Sequence, residues 1–138
     1  MTEIYSIDVQ VTAPVNDTEV TDRVADAITN VFPTAEPTFA DGELTAQIHD
    51  LSHLSELLHR EEILDTARGV FFDTLDGGTF TFDLKKQAAF EGRINFAVGG
   101  PSELGDIRVE VTVTEPSAEE FIDAVAPPTE DGTPIGME

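Results

Sequence analysis

The clearest strand signal in the chain is the segment Ile107-Arg108-Val109-Glu110-Val111-Thr112-Val113-Thr114, in which apolar and polar residues alternate. Successive side chains of a strand point to opposite faces of a sheet, so this pattern predicts a strand with one buried face and one polar face. The same alternation marks residues 7–12 and 79–84. Together the three segments predict a mostly antiparallel sheet whose second face is open to solvent or to a partner.

The first helix is predicted between the first strand and Pro33. Apolar residues recur at helical spacing from Val20 onwards, and proline ends such a pattern. We expect Asn16 to cap this helix, with Glu19 at the capping-box position. Val15 and Val20 then have the spacing of a hydrophobic staple.

A tight hairpin and a long helical segment are predicted in the middle of the chain. Residues 38–48 contain two short strands around Asp41-Gly42, a favoured pair in tight turns. Residues 51–75 have helical spacing, but the apolar stripe drifts around residues 61–62, which leaves open a kink or two abutting helices. Gly69 costs about 1 kcal/mol relative to alanine inside a helix, so we expect it to mark close packing.

These elements define an α+β fold. Residues 93–97 predict one more strand and residues 118–125 a short amphipathic helix. The order β-α-β-β-α-β-β-β predicts a two-layer sandwich, with a mostly antiparallel sheet and two principal helices on one face. Residues 1–125 form a single domain in this prediction. Residues 126–138, rich in proline, glycine and acid, form a mobile tail.

The composition restricts the class of protein and its compartment. A length of 138 residues with 40% apolar content fits one globular domain. No apolar run is long enough to span a membrane, and residues 1–4 lack the basic residues of a secretory signal. The absence of cysteine excludes disulfides, thiolate metal sites and cysteine nucleophiles. We therefore expect a cytoplasmic protein without a membrane partner.

The charge is strongly acidic, with 28 acidic and 7 basic residues and a net charge of −21. Surfaces of this density repel themselves in dilute buffer, whereas at molar salt the Debye length falls to about 3 Å and the repulsion is screened. The alternative is an acidic protein of an ordinary cell that avoids nucleic acid. We favour a protein of a salt-rich cytoplasm, because the acid is spread along the whole chain.

The strongest candidate site is the segment 84–96, which contains three cations and one anion in this acidic chain. Its polar side chains are donors suited to phosphate or sugar oxygens. The candidate binding residues are Lys85, Lys86, Gln87, Arg93 and Asn95, with Arg68 and, less directly, Arg60 extending the patch from the long helix. The alternative, that these cations are only surface counter-charges, stays open.

The apolar residues of the same segment are predicted to be buried. Phe90, Ile94 and Phe96 alternate as core residues of a strand do, and Ala88-Ala89 indicates close packing. On this interpretation Phe90 belongs to the core, and its replacement by alanine is a core truncation of about 3–5 kcal/mol.

No catalytic or metal site is predicted. His49, His53 and His59 lie within eleven residues, but zinc sites require three or four ligands, and a helix start at Asp50 separates His49 from the face of His53. Paired acids such as residues 61–62 follow from the composition. The glycine-rich phosphate loop, the paired-histidine zinc motif and the nucleophile elbow are all missing from the sequence.

Several stretches resemble the archaeal uncharacterised protein family number two hundred and one. The central ones are residues 63–68, 82–96 and 104–109, and residues 13–15 and 30–33 also fit the family pattern. The resemblance covers roughly residues 5 to 114. The sequence Lys-Gln-Ala-Ala-Phe at its centre is the most specific part.

The resemblance implies a fold similar to that of the ribosomal large-subunit protein that binds 5S RNA, together with predicted RNA binding. Some family members look fused or linked to a P-loop nucleotide-kinase-like protein. Lys86, Gln87, Arg93 and Asn95 match the family pattern, whereas the pattern favours asparagine at the position of Lys85. The acidic residues after position 115 have no counterpart in it.

The residues and the resemblance together predict a non-catalytic archaeal protein that binds RNA or a ribonucleoprotein, without a cofactor and without DNA as a partner. One alternative is a protein–protein module, for instance an accessory subunit of a nucleotide-metabolising enzyme such as a P-loop nucleotide-kinase-like protein. A small-molecule phosphate binder is the other. Convergence of the cations Arg68, Lys86 and Arg93 on one polar face favours RNA. An exposed apolar patch on the open sheet face favours a protein partner.

Overall fold

The computed structural model describes residues 6–97, 105–115, 117–130 and 133–134. In chain order its elements are β1 (Ser6–Pro14), α1 (Thr21–Val31), β2 (Thr38–Ala40), β3 (Glu43–Ile48), α2 (Ser52–Arg60), α3 (Leu64–Thr74), β4 (Thr79–Leu84), α4 (Lys86–Phe90), β5 (Ile107–Glu115), α5 (Ala118–Val125), β6 (Thr129–Glu130) and β7 (Thr133–Pro134). None of the helices in these ranges is long and apolar enough to cross a membrane.

Five strands form one sheet in the order β2-β3-β1-β5-β4, and every neighbouring pair is antiparallel. Val111 of β5 lies opposite Val9 of β1 and Phe80 of β4. The strand that comes last in sequence among these five therefore lies between two earlier ones. This architecture confirms the predicted α+β class and the antiparallel sheet, and β6 and β7 form a separate two-stranded pair.

The two faces of the sheet differ sharply in polarity. Alternate residues of β1, β3, β4 and β5 are buried in the core, against apolar residues of the helices. The opposite face, as far as the structure describes it, carries threonine, glutamine, aspartate, glutamate and arginine side chains. Those of the three central strands and β4 include Asp8, Gln10, Thr45, Gln47, Thr81, Asp83, Arg108, Glu110 and Thr112. The open face thus lacks, in this part of the chain, the apolar patch that would favour a protein partner.

The hairpin between β2 and β3 has the predicted turn. Asp41 and Gly42 both have positive φ, of 53° and 79°. Two positive φ values at the centre of a two-residue loop match the twist of the flanking strands, and glycine adopts this conformation without a steric cost. The prediction from the Asp-Gly pair is confirmed.

The predicted start of the first helix is wrong. Asn16 and Glu19 do interact as a capping box would, since the backbone N–H of Asn16 donates to Glu19 Oε1 at 3.0 Å, but they form a turn that precedes the helix. The helix α1 begins at Thr21 after Val20, whose side chain is 60% exposed and makes no staple. The Glu19 carboxylate also forms an ion pair with Lys86 of α4.

The segment 51–75 consists of two helices. The chain leaves helical geometry after Arg60, and Glu62 has a positive φ of 56°, which a continuous helix does not allow. The alternative of two abutting helices is therefore the correct one. The expectation for Gly69 is wrong, because a Cβ placed there would have no neighbouring atom within 4 Å.

The segment 85–97 is a short helix and an extended return, where the sequence predicted buried strands. Residues Lys86–Phe90 form α4, and Phe96 makes a single bridge with Leu84. Ile94 and Phe96 are buried as expected, but Phe90 is 36% exposed, so its assignment to the core was wrong. Five helical residues are too few for a period of 3.6 to stand out against a period of two.

The C-terminal region begins with the predicted short helix, which spans Ala118–Val125 as expected. The hydroxyl of Ser117 caps it by accepting from the backbone N–H of Glu120 at 3.2 Å. Ala126, which the sequence placed at the start of the tail, is fully buried. Residues 131–132 and 135–138 lie outside the described ranges, so the mobile tail stays a prediction.

Candidate functional site

A cleft of about 380 Å³ brings together four of the six predicted binding residues. Its lining residues are Lys85, Gln87, Ala88, Glu91, Arg93, Ile94 and Asn95, and we call it the 85–95 cleft. Lys85 and Asn95 are exposed, as are Gln87 and Arg93. The structure therefore brings these four side chains together, but of the three cations Arg68, Lys86 and Arg93, whose convergence would favour RNA, only Arg93 lines the cleft.

Backbone hydrogen bonds close the cleft into a loop that returns to the edge of the sheet. Lys85 N–H donates to the carbonyl of Asn95 at 2.9 Å, and Ala97 N–H donates to the carbonyl of Asp83 at 2.8 Å. Between these points α4 ends at Phe90, and Gly92, two residues further on, turns the chain back with a φ of +72°. The two ends of the segment are thus fixed next to one another, and the seven lining residues between them surround one volume.

Two polar side chains from other elements support the cleft, and neither of them is marked by a local signal in the sequence. The carboxylate of Glu61, after α2, accepts from the backbone N–H of Ile94 at 3.1 and 3.3 Å. The amide of Asn30 in α1 donates to the carbonyls of Ala89 and Phe90 at 3.0 and 3.3 Å. Asn30 thereby satisfies carbonyls at the end of α4, of which that of Ala89 also accepts from the backbone N–H of Gly92 at 3.0 Å.

The prediction that Lys86 is a surface contact is wrong. Its side chain is 5% exposed, and its Nζ donates to the carbonyl of Pro14 at 2.6 Å and to Glu19 Oε1 at 2.9 Å. On α4, Lys86 shares the inner face with the buried Ala89, three residues on. Lys86 therefore joins α4 to the turn before α1 and does not line the cleft.

The carboxylate of Glu19 is held in its charged form. Its side chain is only 8% exposed, and this burial raises its pKa. Hydrogen bonds from the backbone N–H of Asn16, from Lys86 and from the Asn16 side chain outweigh the burial, and the positive charge of Lys86 acts in the same direction. The pKa of Glu19 consequently lies below its ordinary value.

The prediction that Arg68 extends the patch is also wrong. Its Nη1 pairs with Asp123 Oδ1 at 2.7 Å and donates to the carbonyl of Ala126 at 3.0 Å. The guanidinium carbon lies 5.1 Å from the centre of the Phe72 ring on the same helix. Arg68 thus attaches the end of α5 to α3. Arg60 is exposed but does not line the 85–95 cleft.

The side chains that line the 85–95 cleft carry a net positive charge, although the carboxylate of Glu61 lies next to them at the backbone of Ile94. Lys85 and Arg93 supply two positive charges, and Glu91 supplies one negative charge 3.8 Å from Arg93. The Arg93 side chain is 68% exposed, so this weak pair leaves its guanidinium accessible to a ligand. Together with the amides of Gln87 and Asn95, these groups can donate several hydrogen bonds to an anion such as a phosphate.

A larger cleft of about 460 Å³, between β1, α2 and α5, has a different chemistry. Its lining contains His49, Asp50 and Glu56 over an apolar floor, and no lysine or arginine. It is therefore unsuited to an anion. The three histidines each have separate partners, and the described ranges contain no group of three residues that could ligate a metal ion.

The chain matches, over residues 8–114, a protein-family model described as RNA binding. The fold and this match place the chain in a class of small α+β domain whose family model is described as RNA binding. A UPF0201 protein from Thermococcus kodakarensis is 34% identical, covering 98% of this chain and 99% of that protein. The chain therefore belongs to the UPF0201 family.

A solved member of the family has the same fold. The crystal structure of the UPF0201 protein from Methanococcus jannaschii superimposes with a TM-score of 0.87 at 33% identity, covering 94% of this chain and 99% of the other. This agreement supports the α+β class seen in the described residues.

One curated relative is considerably longer than this chain, and the match to a second covers only part of both proteins. A UPF0200/UPF0201 protein from Archaeoglobus fulgidus is 34% identical over 94% of this chain, which spans 40% of it. A UPF0201 protein from Methanopyrus kandleri is 48% identical over 62% of this chain, and the match spans 55% of that relative.

Proposed function

We propose that this protein binds RNA, without catalysis of its own, through the 85–95 cleft. The observation that carries the proposal is the convergence of Lys85, Gln87, Arg93 and Asn95 on one volume. In a chain with 28 acidic and 7 basic residues, the side chains that line this cleft carry a net positive charge. The amides of Gln87 and Asn95 are neutral donors beside them. The match to a family described as RNA binding supports RNA as the source of the anion.

We further propose that binding takes place in a salt-rich cytoplasm and within a ribonucleoprotein. A net charge of −21 opposes RNA at long range, and molar salt removes interactions beyond about 3 Å. Affinity must then come from short, fitted hydrogen bonds. The planar guanidinium of Arg93 suits this role because it can hold a phosphate with two parallel hydrogen bonds.

The double variant Lys85→Ala with Arg93→Ala is expected to lose about 2–4 kcal/mol of RNA affinity, from two charge-assisted contacts. Both side chains are exposed, so the melting temperature should change little. Fluorescence anisotropy with a labelled, randomised-sequence RNA in molar KCl measures the affinity, and circular dichroism measures the melting temperature.

The matched control is Arg60→Ala with Arg108→Ala. It also removes two positive charges, but from exposed residues that do not line the cleft. This control should bind RNA like the wild type. Equal losses in both double variants would show that net charge, not the cleft, governs binding. Absence of RNA binding by the wild type at every salt concentration would overturn the proposal in favour of a protein partner.

The proposed salt-rich environment predicts that stability rises steeply with KCl, because the mutual repulsion of exposed carboxylates is screened. The melting temperature should be lowest in dilute buffer and highest at molar salt. Thermal melts followed by circular dichroism across a KCl series test this. A melting temperature that stays constant or falls would contradict it.

A further inference from the structure

The ring of Phe90 is an exposed aromatic beside the 85–95 cleft, and the proposed phosphate contacts do not use it. Phe90 is 36% exposed on α4, three residues after the cleft residue Gln87. Residues three apart on a helix are neighbours on one face, which places Phe90 next to Gln87, although its ring is not part of the cleft lining. An exposed aromatic beside phosphate-binding groups is a feature of surfaces that stack nucleobases.

The ring is held in place from two directions. Asn30 donates to the carbonyls of Ala89 and Phe90 and so fixes the backbone that carries the ring. The guanidinium carbon of Arg23, in α1, lies 5.7 Å from the ring centre. A guanidinium at this distance is attracted to the ring, and its own plane can also stack on a base.

Other places where a base could stack are less suitable. The open face of the described sheet presents threonine, amide and charged side chains, so it offers no aromatic platform there. Phe39 is 51% exposed but lies on β2, at the edge of the sheet opposite β4. Phe72 is 38% exposed, but the Arg68 guanidinium over its ring is held by the ion pair with Asp123 of α5.

We propose that Phe90, together with Arg23, stacks a nucleobase of single-stranded RNA whose neighbouring phosphate occupies the 85–95 cleft. The inference rests on the proposed RNA binding and specifies the form of the RNA. Bases inside a duplex are already stacked on each other and cannot reach an aromatic side chain, so the ligand is a loop, bulge or free end. Stacking does not depend on net charge, which suits an acidic protein at high salt.

The test compares Phe90→Ala, Phe90→Tyr and Phe39→Ala with the wild type in molar KCl. The probe is a labelled randomised single-stranded RNA and, separately, a duplex of the same length. Phe90→Ala should weaken single-strand binding about 5- to 150-fold, the worth of one stacked base. Phe90→Tyr keeps the ring and should bind like the wild type. Phe39→Ala removes an exposed ring elsewhere and should also bind like the wild type. The wild type should bind the duplex more weakly than the single strand.

A spectroscopic measurement tests the contact itself. The chain contains no tryptophan, so Phe90→Trp introduces a single indole whose fluorescence should be quenched when single-stranded RNA is added. If the indole does not respond, if Phe90→Ala binds like the wild type, or if duplex binds as well as single strand, the stacking site is refuted. In these cases the proposed function survives, provided that the cleft variant still loses affinity. A wild type that binds no RNA overturns both.

Discussion

Replacement of Lys86 by alanine is expected to lower the free energy of unfolding by about 3–5 kcal/mol, because it leaves a buried carboxylate without its partner. Lys86 and Glu19 have 5% and 8% exposed side chains, and the Nζ–Oε1 distance is 2.9 Å. The substitution also removes the donor to the carbonyl of Pro14. Chemical denaturation in molar KCl measures the loss.

Lys85→Ala is the matched control, since it removes the same charge from the adjacent, exposed residue and should change stability by no more than about 0.5 kcal/mol. A second variant, Lys86→Met with Glu19→Leu, removes both charges and should recover much of the loss, because no unpaired charge is then buried. Equal stability of Lys86→Ala and Lys85→Ala would show that the ion pair is not structurally important.

The pH dependence gives an independent measurement of the same pair. Because the pKa of Glu19 is lowered in the folded protein, its contribution is present above the ordinary carboxyl pKa and is lost as pH falls through the lowered value. In Lys86→Ala two of the lowering causes disappear while burial, which raises the pKa, remains. Protonation of Glu19 therefore costs less folded-state stability in the variant, so the stability difference between the wild type and Lys86→Ala should shrink as pH falls through the carboxyl range.

Phe71→Ala is expected to destabilise the protein by about 3–5 kcal/mol, the usual cost of removing a large buried aromatic. Phe71 is fully buried, and its ring centre lies 4.9 Å from those of Phe80 and Phe82 and 6.1 Å from that of Phe96. The ring thus connects α3 to β4 and to the extended segment that contains Phe96. Denaturant unfolding at fixed salt measures the loss.

The neighbouring Phe72 provides the control for this prediction. Phe72 lies on the same helix but is exposed, and its main contact is the Arg68 guanidinium. Phe72→Ala should cost about 1 kcal/mol or less, the scale of an exposed cation–π contact. If the two alanine variants were equally stable, the cluster of phenylalanines could not be the centre of the core.

The sheet could be predicted from sequence because its signal is local. In residues 107–114 the alternation of valine with polar residues fixes both the strand and its buried face, and Asp41-Gly42 fixes a hairpin. The break between α2 and α3 appeared in the sequence only as a drift of the apolar stripe. The order of the strands depends on pairings between distant residues, such as Val9 with Val111, for which a single sequence contains no local signal.

The candidate site was partly predictable for the same reason. Composition identified the segment 84–96, and Lys85 and Arg93 do line one cleft. Composition does not tell which cations face solvent, however. The partners that withdraw Lys86 and Arg68 are 67 and 55 residues away in the chain, so the ion pairs could be found only after the chain was folded.

The central position of β5 has a consequence for synthesis on the ribosome. β4, which leads into α4, has β5 as its only neighbour in the five-stranded sheet, and β1 also pairs with β5. While residues 107–115 are still inside the exit tunnel, the growing chain can pair only β1, β2 and β3. During that interval β1 presents an open edge, the kind of edge that recruits other strands. The 85–95 cleft is then not yet anchored to the sheet, so the nascent chain acquires it only once β5 has emerged.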